Sequence, residues 1–126
     1  MGFDCEDVSV KLIGEMRVLV PRILIGDKDL ASQVRKATNS ILLNVAEGRE
    51  RTGADRTHHF KIALGSVSEV RAALVAAVAW GYITDDDAVG AREYLERLMA
   101  MLWRLGRAPR GAAPSGRRAP PEPPRP

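Results

Sequence analysis

Ser32-Gln33-Val34-Arg35-Lys36-Ala37-Thr38-Asn39-Ser40-Ile41-Leu42-Leu43-Asn44-Val45-Ala46-Glu47-Gly48 carries two periodicities at once. Val34, Ala37, Ile41 and Val45, led in by Leu30, recur at steps of three and four. Gln33, Lys36, Ser40, Asn44 and Glu47 do the same on another side. At about 3.6 residues per turn both rows run along a single helix, which is therefore amphipathic with a sharply defined wet or partner-facing side. Asp27 or Asp29 supplies its N-cap and Gly48 its stop.

The same spacing extends outward in both directions. Upstream, Cys5, Val8, Leu12, Met16 and Leu19 share one face of a first helix. Pro21 is expected to end or kink it, because proline lacks an N–H and disfavours helical angles at Val20. Ile23-Leu24-Ile25 then reads as an apolar inter-helix stretch, broken by Gly26 and Asp27. Downstream, residues 49 to 57 read as a charged connection containing Gly53. Phe60, Leu64, Val67, Arg71, Leu74 and Val78 mark a third helix, for which Asp55 is a plausible cap. Gly81 suits a left-handed C-terminal cap, and Thr84 followed by Asp85, Asp86 and Asp87 suits a helix start. Ala91, Leu95, Leu98, Leu102 and Leu105 form the seam of a fourth helix. Short connections favour an all-α, antiparallel up-down-up-down four-helix bundle over residues 1–105.

Residues 106–126 hold seven of the eight prolines and no Leu, Ile, Val, Phe, Tyr or Trp. This reads as a disordered Pro/Arg-rich tail with polyproline II character near its end. It also holds the basic excess. The chain's net charge is +3, but residues 1–105 have 14 basic against 15 acidic side chains and the tail has 5 against 1. A pI near 9.4 is therefore no evidence of a basic folded surface. One cysteine, Cys5, excludes an internal disulfide and fits a reducing cytosol. Acidic residues near the N-terminus do not suit a signal peptide, and the absence of an uninterrupted apolar run of about 18 residues argues against a membrane span.

No catalytic, metal or cofactor constellation emerges. His58 and His59 are adjacent, so on a helix they point about 100° apart and suit a helix start better than a joint metal site. The three aspartates lack calcium-loop spacing. Gly48 and Gly53 stand in no phosphate-loop pattern. Glu47 and Glu69 are conceivable as an acid–base pair with His58, but a polar network of Gln33, Asn44, Glu47, Ser66 and Glu69 explains them better. Arg35, Lys36, Arg49, Arg51, Arg56 and Lys61 make residues 35–61 locally basic, six charges against three. They are the candidate contacts to nucleic acid, through phosphates, since few aromatics accompany them. Ala72 to Trp80 is apolar throughout, which places Leu74, Val78 and Trp80 at a candidate oligomer interface. Arg117, Pro120 and Pro123 match an R-x-x-P-x-x-P pattern.

The stretch from Ser32 to Gly48 resembles the SQ-RA-SI-N-AEG signature of the bacterial four-helix bundle family that includes the 23S ribosomal RNA intervening-sequence proteins. Ala63-Leu64-Gly65-Ser66, Glu69 and Trp80-Gly81-Tyr82-Ile83 resemble that family's ALGS-E and LGYI elements. The resemblance implies an antiparallel four-helix protomer, often a ring-like homopentamer, with no established enzymatic activity. The accessory variability determinant proteins of diversity-generating retroelements are similar in fold and bind a reverse transcriptase and nucleic acid through basic surfaces. The chain departs from the family in its apolar Ile23-Leu24-Ile25, in Lys36 where Arg is commoner, and in its tail. The resulting expectation is a cytoplasmic, non-enzymatic oligomeric adaptor for RNA or DNA, a reverse transcriptase-like partner, or both. The alternative is a purely structural or protein-interaction bundle.

Overall fold

A computed structural model describes residues 4–107. The expectations for the tail beyond Arg107 lie outside the described residues. Four helices follow one another with short joints: α1 (Asp4–Gly26), α2 (Lys28–Arg49), α3 (Gly53–Trp80) and α4 (Asp85–Gly106). Each packs on its chain neighbours, and α1 also packs on α4, closing an antiparallel four-helix bundle. The register of α2 against α3 is fixed by Ser40 facing Ser66, Asn44 facing His59 and Gly48 lying on Phe60.

The apolar rows read from the sequence become the core. Leu12, Ile23, Val34, Ile41, Phe60, Val67, Leu74, Leu95, Leu98 and Leu102 are fully buried. On α3 the buried row is completed by Ala63, Val70 and Ala77, while Leu64 and Val78 sit at its margins and Arg71 faces solvent. By length and composition α3 is apolar enough to cross a membrane; in the bundle its buried row is core.

Two boundaries differ from the sequence reading. Helix α1 does not end at Pro21 but continues to Gly26, so Ile23-Leu24-Ile25 is helix and not loop. Proline inside a helix costs about 3 kcal/mol. Here Pro21 is on the solvent side, where the carbonyl left without its amide partner can be hydrated. Burial of Leu19 and Ile23 on either side contributes about 1.5–3 kcal/mol each and outweighs the break. Helix α3 starts at Gly53, absorbing most of the expected charged connection, with Thr52 rather than Asp55 at the N-cap position.

The remaining joints follow local chemistry. Asp27 alone separates α1 from α2, and its carboxylate accepts the Leu30 N–H at 2.9 Å. Gly81 closes α3 at φ 84°, a conformation that glycine reaches without steric cost. Thr84 and Asp87 form a reciprocal capping box, each side chain accepting the other's backbone N–H, at 3.1 and 2.9 Å. These bonds, the backbone one first, together with Arg22 hold the Asp87 carboxyl below its ordinary range.

Candidate nucleic-acid interface and polar seam

The six basic candidates separate into two groups. Arg35 and Lys36 are exposed on α2 and Lys61 is exposed on α3; none of the three has an ion-pair partner among the described residues. Arg35 lines a shallow groove of about 410 Å³ with Val20, Pro21, Leu24, Lys28 and Ala31. The others gather where α2 turns into α3, and they are engaged. Arg51 bridges Glu47 at 2.8 Å and Asp55 at 3.0 Å, which raises its already high pKa. Arg49 lies 3.3 Å from the Glu6 Oε1 atom on α1, an ion pair in which that oxygen accepts no hydrogen bond, and 3.7 Å from Glu50. Arg56 places its guanidinium 4.9 Å from the Phe60 ring centroid and donates to the Gly48 carbonyl at 3.4 Å.

Between α2 and α3 runs a polar seam. Ser66 Oγ donates to Ser40 Oγ at 2.8 Å. Asn44 Nδ2 donates to the Ser40 carbonyl at 3.0 Å and lies 3.2 Å from Ser40 Oγ. With the Asn44 amide so oriented, its Oδ1 accepts at 3.0 Å from His59 Nδ1, the tautomer that completes the chain of bonds. His59 Nε2 points toward Asp55 at 4.0 Å.

Asn44 and Ser66 thus meet as the sequence suggested, but the other three members of the expected network do not. Gln33 and Glu69 are exposed, and Glu47 turns outward to Arg51. Three residues turn a helix by about 300°, short of a full turn, so a three-step row drifts. Glu69, three beyond Ser66, is thereby carried toward solvent. His59 takes the vacant place. Its signal in the sequence was the complementary amide of Asn44, which only the α2–α3 register could reveal. The same register sets Glu69 about ten residues, or about 15 Å, along α2 from Glu47, so the two carboxylates are not a pair. No group of three or more His, Cys, Asp and Glu among the described residues is placed to hold a metal ion.

The candidate oligomer surface also needs correction. Leu74 is 0% exposed inside its own protomer and has nothing to offer a second copy. Val78 is half-buried at the margin of the core and Trp80 is 71% exposed. Besides Trp80, the large apolar residues exposed on α3 are Ile62 and Val75.

Glycine explains how closely the two motif-bearing helices approach. A Cβ on Gly48 would lie 2.6 and 2.8 Å from Phe60 ring carbons, closer than carbon atoms approach. The segment ending in Gly48 and the one beginning at Phe60 are therefore one packing unit. Both lie within residues 25–104, which match the family model of the 23S rRNA-intervening sequence protein. The chain belongs to the 23S rRNA-intervening sequence protein family. No curated protein matches it significantly. In this 23S rRNA-intervening sequence family protein Ser40, Asn44 and Gly48 serve packing and hydrogen bonding between α2 and α3. Lys36, by contrast, stands free on the outside.

Proposed function

We propose that this protein is a non-catalytic, oligomeric adaptor that contacts the phosphate backbone of RNA or DNA, alone or together with a reverse transcriptase-like partner. The observation carrying this reading is that three outward cations without acidic partners among the described residues, Arg35, Lys36 and Lys61, stand on the two helices that lie within the family match. Arg49 and Arg51 support it at small cost. Exposed ion pairs contribute only about 0–1 kcal/mol, so phosphates can displace Glu6, Glu47 and Asp55. Repetition of a weak basic surface around a ring, a pentamer by resemblance, multiplies affinity through effective concentration. Val75 and Val78 on the side of α3 are the surface proposed for assembly. Localisation in the cytoplasm belongs to the same reading.

The test is binding of labelled single-stranded and duplex RNA and DNA across a salt series. Binding should weaken as salt rises. Changing Arg35, Lys36 and Lys61 together to Ala should flatten the log–log salt slope by roughly two to three, at about 0.7–0.9 per lost phosphate contact. Light scattering that returned a monomer mass near 13.7 kDa at micromolar concentration would refute assembly.

The second reading, a protein-interaction bundle without nucleic-acid binding, is favoured by the engagement of Arg49 and Arg51 with acids of the same chain. Absence of binding to every nucleic acid at low salt selects it.

A further inference from the structure

The end of the bundle formed by Asp27 and the α3–α4 joint has a character the sides lack. Trp80 is exposed and lies against Tyr82, ring centroids 6.4 Å apart and planes 14° from parallel. Tyr82 is held in place from beneath. Its ring covers Gly26, where any Cβ would overlap it, and its hydroxyl donates to Asp27 at 3.4 Å. Ile25, 89% exposed, is an apolar neighbour on the same end.

Carboxylates surround this platform. Asp27, Asp29, Asp85, Asp86 and Asp87 all belong to the N-terminal turns of α2 and α4 or to the cap residue before them. Arg22 is committed to Asp87 at 2.9 Å and Arg92 to Asp85 at 3.1 Å. Asp29 and Asp86 are exposed with no basic partner among the described residues. Lys28 is the exposed base nearby without an ion pair, and it does not balance them.

An aromatic pair of exposed Trp80 and half-buried Tyr82, edged by unpaired acids, suits a ligand that is extended, apolar and cationic. Polyproline II segments are such ligands: their stiffness lowers the entropic cost of docking on aromatic side chains, and a flanking arginine pairs with carboxylate. The chain carries a segment of this chemistry in Arg117-Arg118-Ala119-Pro120-Pro121-Glu122-Pro123-Pro124-Arg125-Pro126. We infer that this C-terminal Pro/Arg segment docks on the Trp80–Tyr82 end of its own bundle, prolines on the aromatic rings and Arg117 on Asp29 or Asp86.

The geometry of the chain permits it. Helix α4 has 22 residues and runs about 33 Å away from that end. Ten residues from Arg107 to Arg117 span at most about 35 Å when extended. Arg117 therefore returns to the level of the α4 start with nothing to spare, and Pro120 and Pro123 follow at the rings. A tether this close to full extension gives an effective concentration well below the millimolar value of a linker matched to its span, so docking requires an intrinsic affinity correspondingly tighter than about 0.1 mM.

The experiment uses the full chain carrying Ser115→Cys and a nitroxide on that thiol. Cys5 is buried, which pushes its thiol up to about 12, so it stays unlabelled. The indole N–H of Trp80, distinguished from Trp103 by a Trp80→Phe variant, and the amides of Gly81 and Tyr82 are followed by NMR. The inference predicts paramagnetic broadening at these three sites and loss of that broadening when Arg117, Pro120 and Pro123 are all changed to Ala. Undisturbed signals in the labelled chain overturn it. So does broadening that survives the triple substitution, which would mean proximity without Pro/Arg recognition. A nitrogen-15 chain without nitroxide, mixed with labelled chains, reports on neighbours; broadening there alone assigns the platform to a second copy and overturns docking within the chain.

Discussion

Gly48→Ala tests the packing that unites the two family motifs. The new methyl carbon would stand 2.6 Å from a ring carbon of Phe60, against about 3.5–4.0 Å for an ordinary carbon contact. Helix and ring must separate by almost 1 Å. Phe60 has no room to give, being fully buried and covered by the Arg56 guanidinium. Overpacking of this kind costs about 1–3 kcal/mol, here near the upper end. Alanine returns less than about 1 kcal/mol through helix propensity, since Gly48 is close to the end of α2. The net is a loss of about 2 kcal/mol, or roughly 10 °C in Tm for a bundle of this size. Thermal unfolding followed by circular dichroism, at one fixed protein concentration, measures it. Gly14→Ala and Gly65→Ala are the controls: both sites are inside helices with open space where the Cβ would go, so each should gain about 0.5–1 kcal/mol. Gly48→Ala as stable as the parent, with both controls stabilised, would refute the reasoning. Recovery in Gly48→Ala with Phe60→Leu would localise the clash to the ring.

Other expectations concern the caps and the seam. Thr84→Ala removes half of the capping box and should cost about 1 kcal/mol by urea denaturation. Asp87 has a folded pKa below its unfolded one, so its contribution is complete above about pH 4 and fades as pH falls through the folded value; Asp87→Asn should flatten the acid limb of a stability–pH curve and leave its alkaline side unchanged in shape. Asn44→Ala strands His59 and Ser40 in a part-buried seam and should lose about 1–2 kcal/mol. Glu47→Ala, which removes an exposed ion pair, should lose less than about 1 kcal/mol. Equal losses in those two variants would contradict the placement of Glu47 outside the seam.

Helix number, helix faces and the N-cap at Thr84 were legible because they depend on neighbours three and four residues away. Such contacts belong to any helix, whatever it packs against. Leu30, Val34, Ala37, Ile41 and Val45 face the bundle for that reason, and Thr84 with Asp87 caps α4 for the same one. Apart from the start of α3 at Gly53, the errors lie where a distant residue decides. Pro21 is tolerated because Ile23 finds the core, Leu74 is consumed by its own protomer, and Glu69 drifts outward while His59 reaches Asn44.

For the candidate interface the sequence determined which side chains carry charge and the structure determined which are spent. Arg51 cannot be read as engaged until α3 is known to begin at Gly53, which brings Asp55 one turn beyond it. Arg49 cannot be until α1 returns Glu6 to the same end. The bundle itself follows from local periodicity, since burying an apolar stripe needs only another stripe. Its seam, its free cations and its aromatic end follow from the antiparallel register, which brings residues 15 to 55 positions apart into hydrogen-bonding distance and which no local pattern encodes.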